Sequence, residues 1–195
     1  GSYLNDFPMK FSVTSDGSNF YEPSYAVIRT NQSGYANYNF DAKCSGEVAG
    51  DPKFAVGTQI WKISVNDSEL TYYNQNDSSD FMTRNTSVRG DILLEFTTPD
   101  GTSNFTQEQS ITYLGATTDD CQDALVATVE YLTNTTSSSF TCTNNTRIGA
   151  NAFQCVYATN LSTVRGAYNA TMTANFTNHY NNRTSNFNKP GLFAI

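Results

Sequence analysis

Basic residues are scarce in this 195-residue chain: eleven Lys and Arg stand against eighteen Asp and Glu, a formal charge of -7. That balance leaves no positive field to attract phosphate, which excludes nucleic acid and anionic membranes as expected partners. Histidine occurs once, as His179 in the polar segment "TNHYNNRT". A hydrolytic triad needs a base beside its nucleophile, and neither a strand-turn-helix serine motif nor a phosphate loop accompanies this histidine. The sequence therefore reads as a non-enzyme without a cofactor. Adjacent acids such as Asp119 and Asp120 point to opposite faces of a strand, and they read as a solvated turn rather than a glycosidase pair.

Cysteine is limited to Cys44, Cys121, Cys142 and Cys155, no two of them spaced as zinc ligands, so no metal site is expected. An even count fits paired bridges in an oxidising compartment, with three connectivities open. No apolar run reaches eighteen residues, so no membrane-spanning helix is expected. A charged-then-apolar leader is missing too, which suggests that any signal peptide has been removed.

What the chain has in abundance is Asn followed two residues later by Ser or Thr. Such sequons begin at Asn31, Asn66, Asn76, Asn85, Asn104, Asn134, Asn144, Asn160, Asn169, Asn175 and Asn182, each a candidate glycan acceptor. Together with the cysteines they indicate a secreted eukaryotic glycoprotein. The plainer alternative is an Asn/Ser/Thr-rich bacterial surface protein with accidental matches.

Apolar residues recur with period two in short runs broken by Gly, Asn, Asp and Ser, the signature of strands. "TQIWKISV" sets Trp61, Ile63 and Val65 against Ile60, Lys62 and Ser64. "GDILLEFTTPDG" groups Ile92, Leu94 and Phe96 and ends in a turn at Pro99-Asp100-Gly101. "YAVIRT", "ELTYYNQ", "QSITYLGAT" and "DALVATVEYL" extend the series toward a barrel or a sandwich. From Asn160 onward, "NLSTVRGAYNATMTANF" can be drawn either as a short capped helix or as an alternating strand. The expectation is one all-β domain over residues 1–195, with 180–195 as a loose or docked tail.

Tyr25 in "SYAVIRT", Cys44 in "DAKCSGE", and the run "TTDDCQDAL" followed by Glu130-Tyr131-Leu132 and Cys142 resemble tick salivary lipocalins of the histamine-binding type. Two details depart from that pattern: Gln122 precedes Asp123, and Tyr and Leu are exchanged after Glu130. The resemblance implies an antiparallel lipocalin-like barrel that sequesters a small host molecule and modulates immunity. It also implies bridges Cys44–Cys155 and Cys121–Cys142, with Asp123 and Glu130 as counter-charges for an amine. Trp61, Tyr72, Phe96 and Tyr113 would line the pocket, and a lipid or other apolar ligand would need only these. Strand parity separates the two acids: Asp123, Leu125, Ala127, Val129 and Tyr131 share one face, with Val126, Thr128 and Glu130 on the other, unless a bulge intervenes.

The alternative is an immunoglobulin-like sandwich, a glycan-shielded surface recognition domain that binds a protein partner. Cys44, Trp61 and Cys121 stand in the order expected for a Trp beside an inter-sheet bridge, although Asp119 occupies the corner-tyrosine position before Cys121.

Overall fold

Among the described residues, the alternating runs of "TQIWKISV", "GDILLEFTT", "SITYLGAT" and "TVEYL" are strands. The computed structural model describes residues 4–14, 17–18, 28–44, 56–65, 84–142, 145–180, 182–185 and 192–195, and among these there is no helix. "ELTYYNQ", with Tyr72, lies outside the described residues, as do Tyr25, Asn66, Asn76 and Asn144. The chain forms two compact units, Gly1–Val88 and Arg89–Ile195, each described by itself.

The first unit contains β1 (Pro8–Thr14), β2 (Ile28–Arg29), β3 (Gly57–Val65) and β4 (Arg84–Val88), in the sheet order β2-β1-β3-β4. The half-buried strand expected at β3 has no clean apolar face. Gln59 and Ser64, of opposite parity, are both buried, while Ile63 is exposed. The apolar weight falls instead on an aromatic group: Phe40 meets Trp61 edge-on at 4.6 Å, and Tyr38 packs against Phe11 at 5.7 Å and Trp61 at 6.4 Å between ring centroids.

The second unit contains β5 (Gly90–Thr98), β6 (Ser110–Asp119), β7 (Thr128–Asn134), β8 (Ser139–Cys142), β9 (Thr146–Arg147), β10 (Ala152–Ala158), β11 (Ala167–Asn175), β12 (His179–Tyr180), β13 (Asn182–Ser185) and β14 (Leu192–Ala194). One sheet runs β12-β5-β6-β10-β9 and the other β13-β11-β7-β8, with β14 also pairing β11. Taking β5 as the first strand of a Greek key, this is the A-B-E-D and G-F-C order of an immunoglobulin-type sandwich, with β8 as an added strand beside C.

Inward alternation from both sheets fills the space between them. Ile92 and Phe96 of β5, Ile111 and Tyr113 of β6, and Phe153 and Cys155 of β10 meet Val129 and Tyr131 of β7 and Tyr168, Ala170, Met172 and Ala174 of β11. At Gly115 of β6 the opposite sheet packs tightly, through Met172 of β11. A Cβ there would lie 2.5 Å from Met172 Sδ and 2.7 Å from the Glu95 carbonyl oxygen.

The expected barrel is therefore corrected. Among the described residues the sheets are open, and β8 and β10 belong to different sheets joined by a side-chain bridge, Cys142–Cys155, instead of a hydrogen-bonded ladder. That bridge also overturns the pairing of Cys121 with Cys142 and of Cys44 with Cys155. Cys44 and Cys121 are in disulfide form as well.

The helix drawn after Asn160 is corrected too. Asn160 Oδ1 accepts from Ser162 N at 2.9 Å, which closes an Asx turn rather than a helix cap, and Tyr168, Ala170, Met172 and Ala174 then alternate inward along β11. In the tail, β13 and β14 both pair with β11, and Ile195 exchanges backbone hydrogen bonds with Gly166.

Candidate functional site

The residues expected to bind a ligand are dispersed. Phe96 and Tyr113 are buried in the sandwich core, each with its ring centroid 5.5 Å from that of Tyr131. Trp61 belongs to the aromatic group of the first unit. Glu130 is exposed on the outward face of β7, as parity required, opposite Thr173 of β11. Asp123 precedes β7 in an exposed turn where Gln122 has φ 67°. Neither acid reaches the aromatic interior.

The turn itself is organised by Asp119, whose buried carboxylate accepts from the backbone N–H groups of Cys121 and Asp123, both at 2.8 Å. Asp119, Asp120 and Cys121 lie close enough to suggest a cation site. Cys121 is in a disulfide, however, and the Asp119 oxygen is committed to the backbone, so the cluster serves as a turn brace.

The core contains polar groups that are paired internally. Thr133 Oγ1 donates to the Tyr113 hydroxyl at 2.8 Å, and the Tyr131 hydroxyl donates to the Phe153 carbonyl at 2.8 Å. Burial holds the Tyr113 and Tyr131 hydroxyls well above the ordinary tyrosine range, because the phenolate would lose its hydration. At the start of β11 the Tyr168 hydroxyl donates to the Val164 carbonyl four residues upstream. This is the tyrosine corner of the sandwich, at the strand where an immunoglobulin-type fold places it. Sequence reasoning sought it two residues before Cys121. The available signal was Tyr168 itself, the first inward residue after Gly166.

The two outer sheet faces differ in kind. On the β7–β11 face, Asn134 and Asn169 are direct cross-strand partners and Asn175 opposes Thr128, so three exposed sequon asparagines accompany Glu130. On the β5–β6–β10 face, the outward residues are Asp91, Leu93 and Glu95 of β5, Thr112, Leu114 and Ala116 of β6, and Gln154 and Val156 of β10. No sequon begins within these three strands. Leu93 is 41% and Val156 50% exposed, and no basic residue lies in the three strands. Asn104 and Asn160 are in the β5–β6 and β10–β11 loops.

No protein-family model and no curated protein matches the chain. Among solved structures it is similar to a tetra-tandem repeat from the extending region of a large adhesion protein, with 20% identity and TM-score 0.44, covering 100% of this chain and 42% of that one. It is also similar to a marsupial T cell receptor, with 10% identity and TM-score 0.47, covering 100% and 66%. Domains 4 and 5 of the S-layer protein SbsC match at 11% identity and TM-score 0.36, covering 98% and 99%. The chain thus spans less than half of the adhesion-protein structure and 66% of the receptor structure.

Proposed function

We propose that the protein is an extracellular recognition domain that binds a protein partner through the outer face of β5, β6 and β10, while glycans cover the outer face of β7 and β11. The observation that carries this reading is the segregation of sequons: Asn134, Asn169 and Asn175 lie on one sheet face, while among the described residues no sequon begins within β5, β6 or β10. A glycan is bulky and strongly hydrated, so it bars close packing on the face it occupies. The bare face offers Leu93, Leu114, Ala116 and Val156 among hydroxyl side chains, a composition that can be desolvated in a contact.

Its partner is a protein with a basic margin. Asp91 and Glu95 are the charges among the outward residues of the bare face, and a second copy would bring another -7 to meet this chain's -7. Sequestration of an amine or lipid ranks second, because Phe96 and Tyr113 are spent on core packing. The test is to probe an array of extracellular proteins with the tetramerised glycoprotein, alongside non-denaturing mass spectrometry of the monomer. Binding to a basic protein that weakens between low and physiological salt supports the proposal. A stoichiometric small molecule in the monomer, with no protein partner on the array, overturns it.

A further inference from the structure

The sequons differ in what their backbones are doing, and this bears on when a glycan could be attached. In Asn31-Gln32-Ser33, Asn31 Oδ1 accepts from Ser33 N at 2.9 Å and Tyr35 N at 3.1 Å, in an exposed turn. In Asn160-Leu161-Ser162, Asn160 Oδ1 accepts from Ser162 N at 2.9 Å and Ser162 Oγ at 2.6 Å. Both are Asx turns in which the carboxamide oxygen is engaged by the serine of its own sequon. The chain is bent at each site, and the sequon serine is held beside the carboxamide.

Three other sequons lie wholly inside strands, among them Asn182-Arg183-Thr184 of β13, paired to β11 opposite Ala174, Thr173 and Met172. Asn85-Thr86-Ser87 is paired to β3, opposite Ile60, Gln59 and Thr58. Asn169-Ala170-Thr171 lies in β11, which is paired on both sides: Asn169 faces Asn134 and Leu192, and Thr171 faces Leu132 and Ser185. A transferase must bend all three sequon residues into its own site. In a ladder, that bend breaks several backbone hydrogen bonds at once.

We infer that Asn31 and Asn160 remain glycan acceptors in the folded chain, whereas Asn85 and Asn169 accept a glycan only before their strands pair. The inference rests on the glycoprotein reading above. In the transfer, the asparagine amide nitrogen bonds to C1 of a sugar carried on a polyprenyl diphosphate. The C1–O bond breaks, the diphosphate leaves with the electron pair, and the amide loses one proton. Occupancy at Asn85 and Asn169 is then a race between transfer and folding, and Asn31 and Asn160 are outside that race.

Two measurements test it. First, the full chain is secreted from a eukaryotic host with and without a mild thiol reductant, which delays closure of Cys142–Cys155, and occupancy is read per site by glycopeptide mass spectrometry. Asn31 and Asn160 should be near fully occupied in both cases, with Asn85 and Asn169 partly occupied and rising about two-fold when folding is delayed. Second, sugar-free folded chain is offered to a purified oligosaccharyltransferase with lipid-linked oligosaccharide, which should modify Asn31 and Asn160 and spare Asn85 and Asn169. Modification of Asn169 in the folded chain, or equal occupancy at all four sites that ignores the reductant, overturns the inference. Absence of sugar at every site in the secreted protein instead overturns the glycan shield itself, and the purified transferase still decides between turn and ladder sites.

Discussion

Replacing Tyr113 by Phe removes one oxygen from the centre of the sandwich and leaves the Thr133 hydroxyl without the acceptor it now meets at 2.8 Å. Both residues are fully buried, so water cannot replace the lost partner. Stranding a buried hydroxyl costs about 1–3 kcal/mol, whereas replacing both partners by apolar groups of the same shape is close to neutral. Tyr113→Phe and Thr133→Val are each expected to destabilise by about 1.5 kcal/mol, and the double variant by less than either single change. For a unit of this size, about 1 kcal/mol moves the midpoint by roughly 4–8 °C, so each single change lowers the second unit's transition by about 6–12 °C. The assay is thermal and urea unfolding of the full chain, following the transition of the second unit. Strictly additive losses would refute the claim that these hydroxyls satisfy each other.

Other consequences follow from the same core. Above about pH 10 the phenols of an unfolded chain ionise while Tyr113 and Tyr131 stay neutral, because burial raises their pKa. The folded state then holds more protons than the unfolded one, so stability is unaffected below that pH and falls by about 1.4 kcal/mol per pH unit for each such tyrosine above it. Absorbance at the phenolate band should show these two titrating only as the fold is lost, and smooth titration within a folded protein would contradict this. Cys142→Ala with Cys155→Ala opens a bridge of sequence separation 13, expected to cost about 3 kcal/mol in chemical denaturation. Peptide mapping without reduction should recover Cys142 joined to Cys155, and a Cys121–Cys142 peptide would disprove the pairing. Gly115→Ala forces a methyl group against Met172 and the Glu95 carbonyl, with an expected loss of about 1–3 kcal/mol. An unchanged unfolding midpoint would show that the two sheets can separate there at no cost.

Local patterning carried much of the fold. Leu125, Ala127, Val129 and Tyr131 are all buried and Val126, Thr128 and Glu130 all exposed, as alternation required, whereas Asp123, of the inward parity, is exposed in the turn that precedes β7. Sheet closure was not legible, because it depends on which distant strands pair: β6 joins β10 across some thirty intervening residues, and nothing within either strand names the other. Residues 160–175 were ambiguous because Thr, Asn and Gly prefer neither state strongly. Tertiary pairing of β11 with β7, β13 and β14 decided for strand. The bridge Cys142–Cys155 was missed because pairing was carried over from a family order, while the Greek key brings β8 and β10 together across the core.

The candidate site was legible only in part. The sequon positions were plain, and so was the outward parity of Glu130. Which sheet face each strand would contribute to, and hence which face would be free of sequons, appeared only with the topology. Trp61, Phe96 and Tyr113 read equally well as core or pocket, and burial assigned Phe96 and Tyr113 to the core.

A glycan added to the bare face tests the central claim most directly. Val156→Asn with Ala158→Thr creates a sequon at the exposed end of β10, and this variant is compared on the protein array with Asn169→Gln, which removes one from the opposite face. Far-ultraviolet circular dichroism and the unfolding midpoint establish that both variants are folded. The account predicts that the glycosylated fraction of the position-156 variant, separated from unmodified chain, binds the partner at least ten-fold more weakly, while Asn169→Gln binds as the parent does. Undiminished binding by the folded, glycosylated position-156 variant would contradict it.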